Sequence, residues 1–179
     1  MKRKINFILI SLFVANAMLL SGQTISLPSE GSKNSLGGGI NGGIFLDKEA
    51  VFVGAAADYS RLLWGNWILN VSWSYDQEHS ASENNGTSVT NTFSPALAIG
   101  YAFTSRLAAG IGIGKGIFDD SSTGKMQYTS EGNLTVGLLC VYTFYHKGPH
   151  AIDIGGGIER GLITPETDIT IELGYGFNF

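Results

Sequence analysis

The sequence is short of cysteine and of charge. Cys140 is the only cysteine among 179 residues, so no disulfide can form within one chain, and a lone cysteine in an apolar strand serves as a small hydrophobic residue. Charged residues make up 15% of the chain, which is low for a soluble domain. Acidic residues outnumber basic ones. This argues against nucleic acid as a partner, because binding a phosphate backbone needs clustered cations.

After its amino terminus the chain also lacks an apolar run of the ~20 residues that a membrane-spanning helix needs. Residues 1–22 start with the basic triplet 2–4, continue through an apolar stretch and end on small residues, which predicts a secretory signal peptide. Its removal leaves eight Lys and Arg against 15 Asp and Glu. Gln23 stands where a lipoprotein would carry cysteine, so no lipid anchor is expected. Residues 23–35 are predicted to form a short flexible lead.

From residue 36 onward, apolar residues alternate with small or polar ones in eight segments separated by turn-rich breaks. Such alternation predicts half-buried strands, and each segment is close to the ~9–11 residues with which a tilted strand crosses a bilayer. The predicted strands are 36–46, 50–61, 66–75, 92–103, 106–118, 133–145, 150–160 and 168–179. The predicted fold of 36–179 is all-β, an eight-stranded antiparallel up-and-down transmembrane β-barrel.

The two faces of each predicted strand differ in kind. In the fifth, Ile111 and Ile113 share a bulky face, whereas Gly110, Gly112 and Gly114 share the other. A soluble up-and-down barrel of the lipocalin sort would place charge outside, but the less bulky face here is mostly Gly, Ala, Ser and Thr. We therefore expect the bulky face to meet lipid, with aromatic residues gathered at both membrane interfaces.

The lengths of the connections predict the orientation. The polar runs 76–91 and 119–132 are long and lie at the same end of the predicted barrel, while the connections at the other end are short. Outer-membrane barrels have short periplasmic turns and longer external loops. We therefore place both runs outside the cell and expect them to be mobile and exposed.

The last predicted strand is aromatic and ends on Tyr175, Phe177 and Phe179. An eight-stranded alternation after a signal peptide, with this ending, resembles the small porin-like, OmpX-type outer-membrane β-barrels of Gram-negative bacteria. The resemblance implies a multi-pass protein of the outer membrane, in contact with membrane lipid and lipopolysaccharide. It also implies that Tyr175, Phe177 and Phe179 form a signal for the barrel assembly machinery.

Polar side chains on the inward face are the candidate functional residues. They are Asn41, Asp58, Asn70, Asp153, Glu159 and Glu172. Eight strands enclose a space that side chains can fill, which argues against a wide pore. Two interpretations of the many inward glycines stay open: a narrow water-filled cavity, or a sheet that glycine allows to coil tightly. Glu159 and Glu172 are expected to lie near each other.

No catalytic arrangement is evident from the sequence. His79 lies near Ser80, Ser82 and Glu83, but this spacing matches no hydrolase pattern, and no cofactor or metal site is predicted. The sequence predicts a non-enzymatic barrel that presents external loops to an external ligand or surface partner, or that supports envelope integrity. A narrow channel or small-molecule carrier is the alternative, and a lipid-modifying enzyme of the outer leaflet ranks third.

Deleting Phe179 should lower the yield of folded protein in the outer membrane, because the resemblance makes the final aromatic strand the assembly signal. The measurement is the heat-modifiable folded band on gels run without denaturation. Undiminished folding and membrane yield would contradict the assembly signal.

Overall fold

In a computed structural model, the structure describes residues 27–28, 31–81, 87–119, 127–128 and 132–179. Alternating side chains and turn residues divide these parts of the chain into strands. The strands are β1 (Asn34–Phe45), β2 (Ala50–Leu62), β3 (Trp67–Ala81), β4 (Thr87–Ala102), β5 (Leu107–Lys115), β6 (Phe118–Asp119), β7 (Gln127–Tyr128), β8 (Leu134–Lys147), β9 (His150–Gly161) and β10 (Thr167–Asn178).

Among the described residues, eight long strands close into one antiparallel barrel. The order of neighbours is β3-β2-β1-β10-β9-β8-β5-β4, and pairing of β3 with β4 completes the ring. The short strands β6 and β7 extend the wall beside β4. No helix in the described parts of the chain is long and apolar enough to cross a membrane.

The barrel has two distinct ends. At the terminal end lie the start of β1, Phe179 and the short turns 63–66, 103–106 and 148–149. The loop end carries the connections β1–β2, β3–β4 and β9–β10, together with β6 and β7. That this loop end faces the cell exterior stays a prediction from the loop lengths.

Bulky apolar side chains cover the outside of the wall. Trp73 is 42% exposed and Ile111 is 56% exposed, whereas the inward Ala98 and Ala108 are buried. Cys140 lies exposed, on the same outward face as Leu138. An exterior of this kind suits hydrocarbon, in which only a closed set of strands can pair all of its backbone groups. The predicted fold class is confirmed.

Exposed aromatic residues gather at the terminal end. They are Trp64, Trp67, Tyr101, Phe103, Tyr142, Phe144, Tyr145, Tyr175, Phe177 and Phe179. Trp73 and Tyr75 are exposed closer to the loop end. Tyr and Trp rings favour membrane interfaces, so these two groups mark the two edges of the apolar band.

The run 76–91 is wrongly predicted as a loop throughout. The ladder between β3 and β4 continues past Tyr75 and Phe93 as far as the pair Ala81 and Thr87, so only residues 82–86 connect the two strands. Ladder pairing does not stop where the apolar face stops. Beyond Tyr75 the outward side chains become polar, and the Gln77 amide donates across the pair to Asn91 at 2.9 Å.

The predicted fifth strand, 106–118, is also interrupted. β5 ends at Lys115 and the chain resumes as β6 at Phe118. The pairing with β4 gains one residue between Ala96–Gly114 and Phe93–Phe118. Pro95 lies opposite this break and has no N–H to donate to a ladder, so the bulge falls where a donor is missing.

Part of the predicted lead 23–35 lies inside the barrel. Leu27 is 4% exposed and packs in a cluster with Ile68, Ala98, Ala108, Leu139 and Val141. β1 itself begins at Asn34, two residues before its predicted start. An apolar cluster therefore fills part of the interior near the terminal end.

Trypsin added to intact cells should cut after Lys125, because this residue belongs to the connection between β6 and β7 at the loop end, while the wall strands stay hydrogen-bonded. The measurement is fragment mass after surface digestion, with Lys125→Gln as the resistant control. If cutting requires the envelope to be opened first, the orientation is the reverse of the one predicted.

Candidate functional site

A cavity of about 260 Å³ lies inside the loop end of the barrel. Its walls combine hydroxyl groups, two aromatic rings, carboxylates and the side chain of Lys115. The acidic residues among its walls are Asp76, Glu78, Glu159, Glu166 and Asp168. We call this space the loop-end cavity.

Phe45 and Phe52 form the aromatic wall of the loop-end cavity. They lie at the end of β1 and the start of β2, with ring centroids 5.5 Å apart. Gly43 makes this possible, because a Cβ there would lie 2.8 Å from the ring of Phe52 and would contact the Ile169 carbonyl oxygen. The cavity thus has an apolar side next to its charged groups.

Lys48 clamps three elements at the rim of the loop-end cavity. It lies between β1 and β2, and its Nζ is 2.9 Å from Glu78 Oε1 on β3 and 2.9 Å from Glu166 Oε2 in the β9–β10 connection. The same ammonium group lies 4.0 Å from the ring centroid of Phe45, which adds a cation–π contact. Burial lowers the pKa of Lys48, but hydrogen bonds and attraction to the two carboxylates outweigh burial and raise the pKa above 10.5.

Further hydrogen bonds support the position of Lys48. Asp47 Oδ2 accepts from the Thr167 amide at 2.6 Å, and Thr167 O accepts from the Leu46 amide at 2.7 Å. The Glu49 carbonyl accepts from Ala81 at 3.4 Å. The β1–β2 connection is thereby tied both to the β3–β4 hairpin and to the start of β10.

Asp76 is held at the inner side of the cavity by Asn41 and Ser74. Asn41 Nδ2 donates to Asp76 Oδ1 at 2.7 Å, and Ser74 Oγ donates to Asp76 Oδ2 at 2.6 Å. Gly54 lies between Asn41 and Asp76, and a Cβ on it would collide with both side-chain oxygens. The hydrogen bond from Asn41 on β1 to Asp76 on β3 therefore crosses β2 at Gly54, which has no side chain.

The structure places the predicted inward residues inside the barrel, but in separate groups. Asn41, Asp58, Asn70, Asp153 and Glu172 are fully or almost fully buried. Asn70 Nδ2 donates to Asp58 Oδ2 at 3.0 Å and to Ser60 Oγ at 2.9 Å. Thr143 donates to Asp153.

The expected proximity of Glu159 to Glu172 is wrong. The pairing of β9 with β10 sets Glu159 opposite Asp168, while Glu172 lies opposite Gly155. Glu159 lies over Gly137, and Glu172 lies over Gly39, since a Cβ on either glycine would contact the glutamate side chain. Inward glycines thus make room for carboxylates from the neighbouring strand, in addition to easing the coiling of the sheet.

Sequence reasoning missed much of the loop-end cavity. Asp76 and Glu78 fall in the run predicted as a loop, because both faces of β3 are polar beyond Tyr75 and the apolar alternation stops there. Asp168 lies two residues before Thr170 and four before Glu172, so the alternation of β10 predicts that it also points inward. The sequence did not indicate that Lys48 belongs to the site, because its partner Glu166 is 118 residues away.

His79 and His150 each contact a neighbouring side chain. His79 Nε2 lies 3.0 Å from Gln77 Oε1 on the outward side of β3, and the neighbours Ser82 and Glu83 lie outside the described residues. His150 Nδ1 contacts the Tyr175 hydroxyl. Within the described ranges, no group of three His, Cys, Asp or Glu side chains could hold a metal ion.

The predicted assembly signal lies at the seam that closes the barrel. Tyr175 and Phe177 are outward on β10, and the ring of Phe177 lies 5.6 Å from that of His150. The Phe179 amide donates to the Asn34 carbonyl at 3.0 Å, and the Asn34 amide donates back at 3.1 Å. The final residue thus completes the β1–β10 pairing. Recognition by the assembly machinery stays a prediction.

Comparison with known proteins rests on structure alone. No protein-family model matches the chain, and no curated protein matches its sequence. The solved structures that it resembles include Ail, the attachment invasion locus protein of Yersinia pestis, in complex with the heparin analogue sucrose octasulfate. The two share 17% identity with a TM-score of 0.51, over 83% of this chain and 99% of Ail.

Two further solved structures resemble the chain. OprG from Pseudomonas aeruginosa is 10% identical with a TM-score of 0.53, over 87% of this chain and 99% of OprG. AlkL, solved in lipid bilayers, is 12% identical with a TM-score of 0.54, over 89% of this chain and 94% of AlkL. The fold is that of a small outer-membrane β-barrel. Likeness at these identities shows the fold and leaves ligands open.

Gly54→Ala should lower the free energy of unfolding by about 1–3 kcal/mol, because the new methyl group must part Asn41 from Asp76 and leave buried polar atoms unpaired. The measurement is urea unfolding in lipid vesicles, followed by tryptophan fluorescence. Gly38→Ala is the matched control, since its Cβ would meet only the Ala56 carbonyl oxygen at 3.4 Å. Equal losses in both variants would contradict the role of Gly54.

Proposed function

We propose that the protein is an integral outer-membrane barrel that binds a small amine-bearing ligand in its loop-end cavity. The binding is non-enzymatic. The ligand approaches from outside the cell, and its ammonium groups meet the carboxylates while its carbon chain lies along Phe45 and Phe52. This assigns a chemistry to the external ligand that the sequence predicted.

One observation carries the proposal: the cavity rim already holds an ammonium group. Lys48 Nζ contacts Glu78, Glu166 and the Phe45 ring, and all three of these residues line the loop-end cavity. Two carboxylates and an aromatic face are a favourable setting for a cation. The contacts of Lys48 therefore indicate what kind of group the walls accept.

Three acidic residues of the cavity, Asp76, Glu159 and Asp168, do not contact Lys48 in this clamp. Asp168 and Glu159 are paired positions on adjacent strands, and Asp76 reaches the cavity from β3. Burial and the repulsion between like charges both disfavour the ionised form of a carboxyl group. A guest cation would stabilise the ionised form, which favours an amine over a neutral or anionic ligand.

Charge along the sequence supports the same chemistry. The loop-end residues 46–49, 76–91, 115–133 and 159–168 contain eleven Asp and Glu against four Lys and Arg. The terminal-end residues 27–35, 61–67, 103–107 and 146–150 contain one acidic residue and four Lys and Arg. A field of one sign at the mouth of a cleft attracts ligands of the opposite sign.

The similarity to Ail does not transfer its ligand. Ail was solved with sucrose octasulfate, a polyanion. The loop end of this chain is acidic, so a polyanion would meet repulsion there. Contacts with lipopolysaccharide and with the assembly machinery remain predictions from the family resemblance.

A small-molecule carrier is the second candidate function. A second cavity of about 260 Å³ lies at the terminal end, lined by Leu62, Asn66 and Ala102 among others. Cavities at both ends of one barrel would suit stepwise passage. The polar and apolar clusters between them argue for a closed interior in the state described.

Spermidine, a small polyamine, should bind the folded protein in lipid nanodiscs, as measured by isothermal titration calorimetry at low ionic strength. Glu159→Gln should weaken binding at least about fivefold, because loss of one contact-distance charge is worth roughly 1 kcal/mol even in a water-like medium. Glu49→Gln is the matched control, since Glu49 is exposed and is not part of the cavity wall. Absent binding, or equal weakening in both variants, would overturn the proposal.

A further inference from the structure

We propose that Leu27 is a plug that closes the interior of the barrel near its terminal end. Leu27 lies at the end opposite the loop-end cavity. The plug is independent of any ligand at the loop end.

Leu27 belongs to no strand, yet it is among the most buried apolar residues. Its neighbours in the cluster are Ile68 on β3, Ala98 on β4, Ala108 on β5, and Leu139 and Val141 on β8. These five residues are inward positions of four consecutive wall strands. Leu27 therefore belongs to a cluster to which four of the eight wall strands contribute.

On β4 and β5 the barrel wall offers little to fill this part of the interior. Ala98 and Ala108 are small, and Gly100 and Gly110 face each other across β4 and β5 with no side chain. Eight-stranded barrels are closed by interior side chains. Here the missing volume is supplied by a residue from outside the wall.

Residues 31–33 lead the chain into the first wall strand. Gly31 has a φ of 90°, a conformation that glycine adopts without strain. The Lys33 carbonyl then accepts from the Leu62 amide at 2.8 Å, just before β1 begins. Gly31 lies between Leu27, which is inside the barrel, and Asn34, which starts the wall.

Leu27 could leave the interior without breaking a wall strand. Residues 27–28 take part in no ladder, and Leu27 is held by apolar packing against the cluster. Leu27 thus lies between the apolar cluster and the terminal-end cavity, whose lining includes Leu27, Pro28 and Ile68.

Cysteine labelling tests the plug directly. Ala108→Cys, in a Cys140→Ala background, places a thiol of similar size at a fully buried inward position beneath Leu27. A water-soluble maleimide should label this thiol slowly in the folded protein. Adding Leu27→Ala should speed labelling by at least about tenfold, since a large-to-small change removes most of the packing of a buried leucine.

Leu36→Ala is the matched control, because Leu36 is a leucine on the outward face at the start of β1. It should leave the labelling rate unchanged, and heat-modifiable mobility should show that every variant is folded. Conductance in planar bilayers provides a second measurement: Leu27→Asp should raise the frequency of openings above that of the unsubstituted chain. If labelling and conductance stay unchanged in the folded Leu27 variants, the plug is refuted.

Discussion

Complete pairing of backbone groups is the constraint on which the rest of this structure depends. In hydrocarbon no water can satisfy an N–H or C=O group, so the strands must form a ring without an edge. The ring is closed by eleven paired positions between β1 and β10, and Phe179 adds the last pair with Asn34. Once the ring is closed, successive residues must point alternately to lipid and to the interior.

The interior of so small a ring leaves room for only some side chains. Gly39, Gly54 and Gly137 free the space in which Glu172, the Asn41–Asp76 bond and Glu159 lie. The inward glycines thus have a role that neither sequence interpretation named, because they accommodate polar side chains from neighbouring strands. The result is a series of layers: an apolar cluster with Leu27, buried polar pairs, and the acidic loop-end cavity.

The β3–β4 ladder continues beyond the apolar exterior, and the loop-end cavity lies at this level of the barrel. The extended β3–β4 hairpin brings Glu78 above the apolar band, where Lys48 and Glu166 reach it from two other connections. A cavity supported by paired strands and a three-way clamp keeps its charges in place without a bound ligand. Preorganisation of this kind lowers the cost of binding.

The sequence by itself determined the strands, their inward and outward faces and the two ends of the barrel. These follow from alternation with a period of two, which is local and can be read from neighbouring residues. Only the tertiary structure decided that Glu159 meets Asp168, that Lys48 reaches Glu166, that β3 outlasts its apolar face and that Leu27 lies inside. Each of these depends on strand register and on closure of the ring, which join residues far apart in the chain and leave no periodic trace in it.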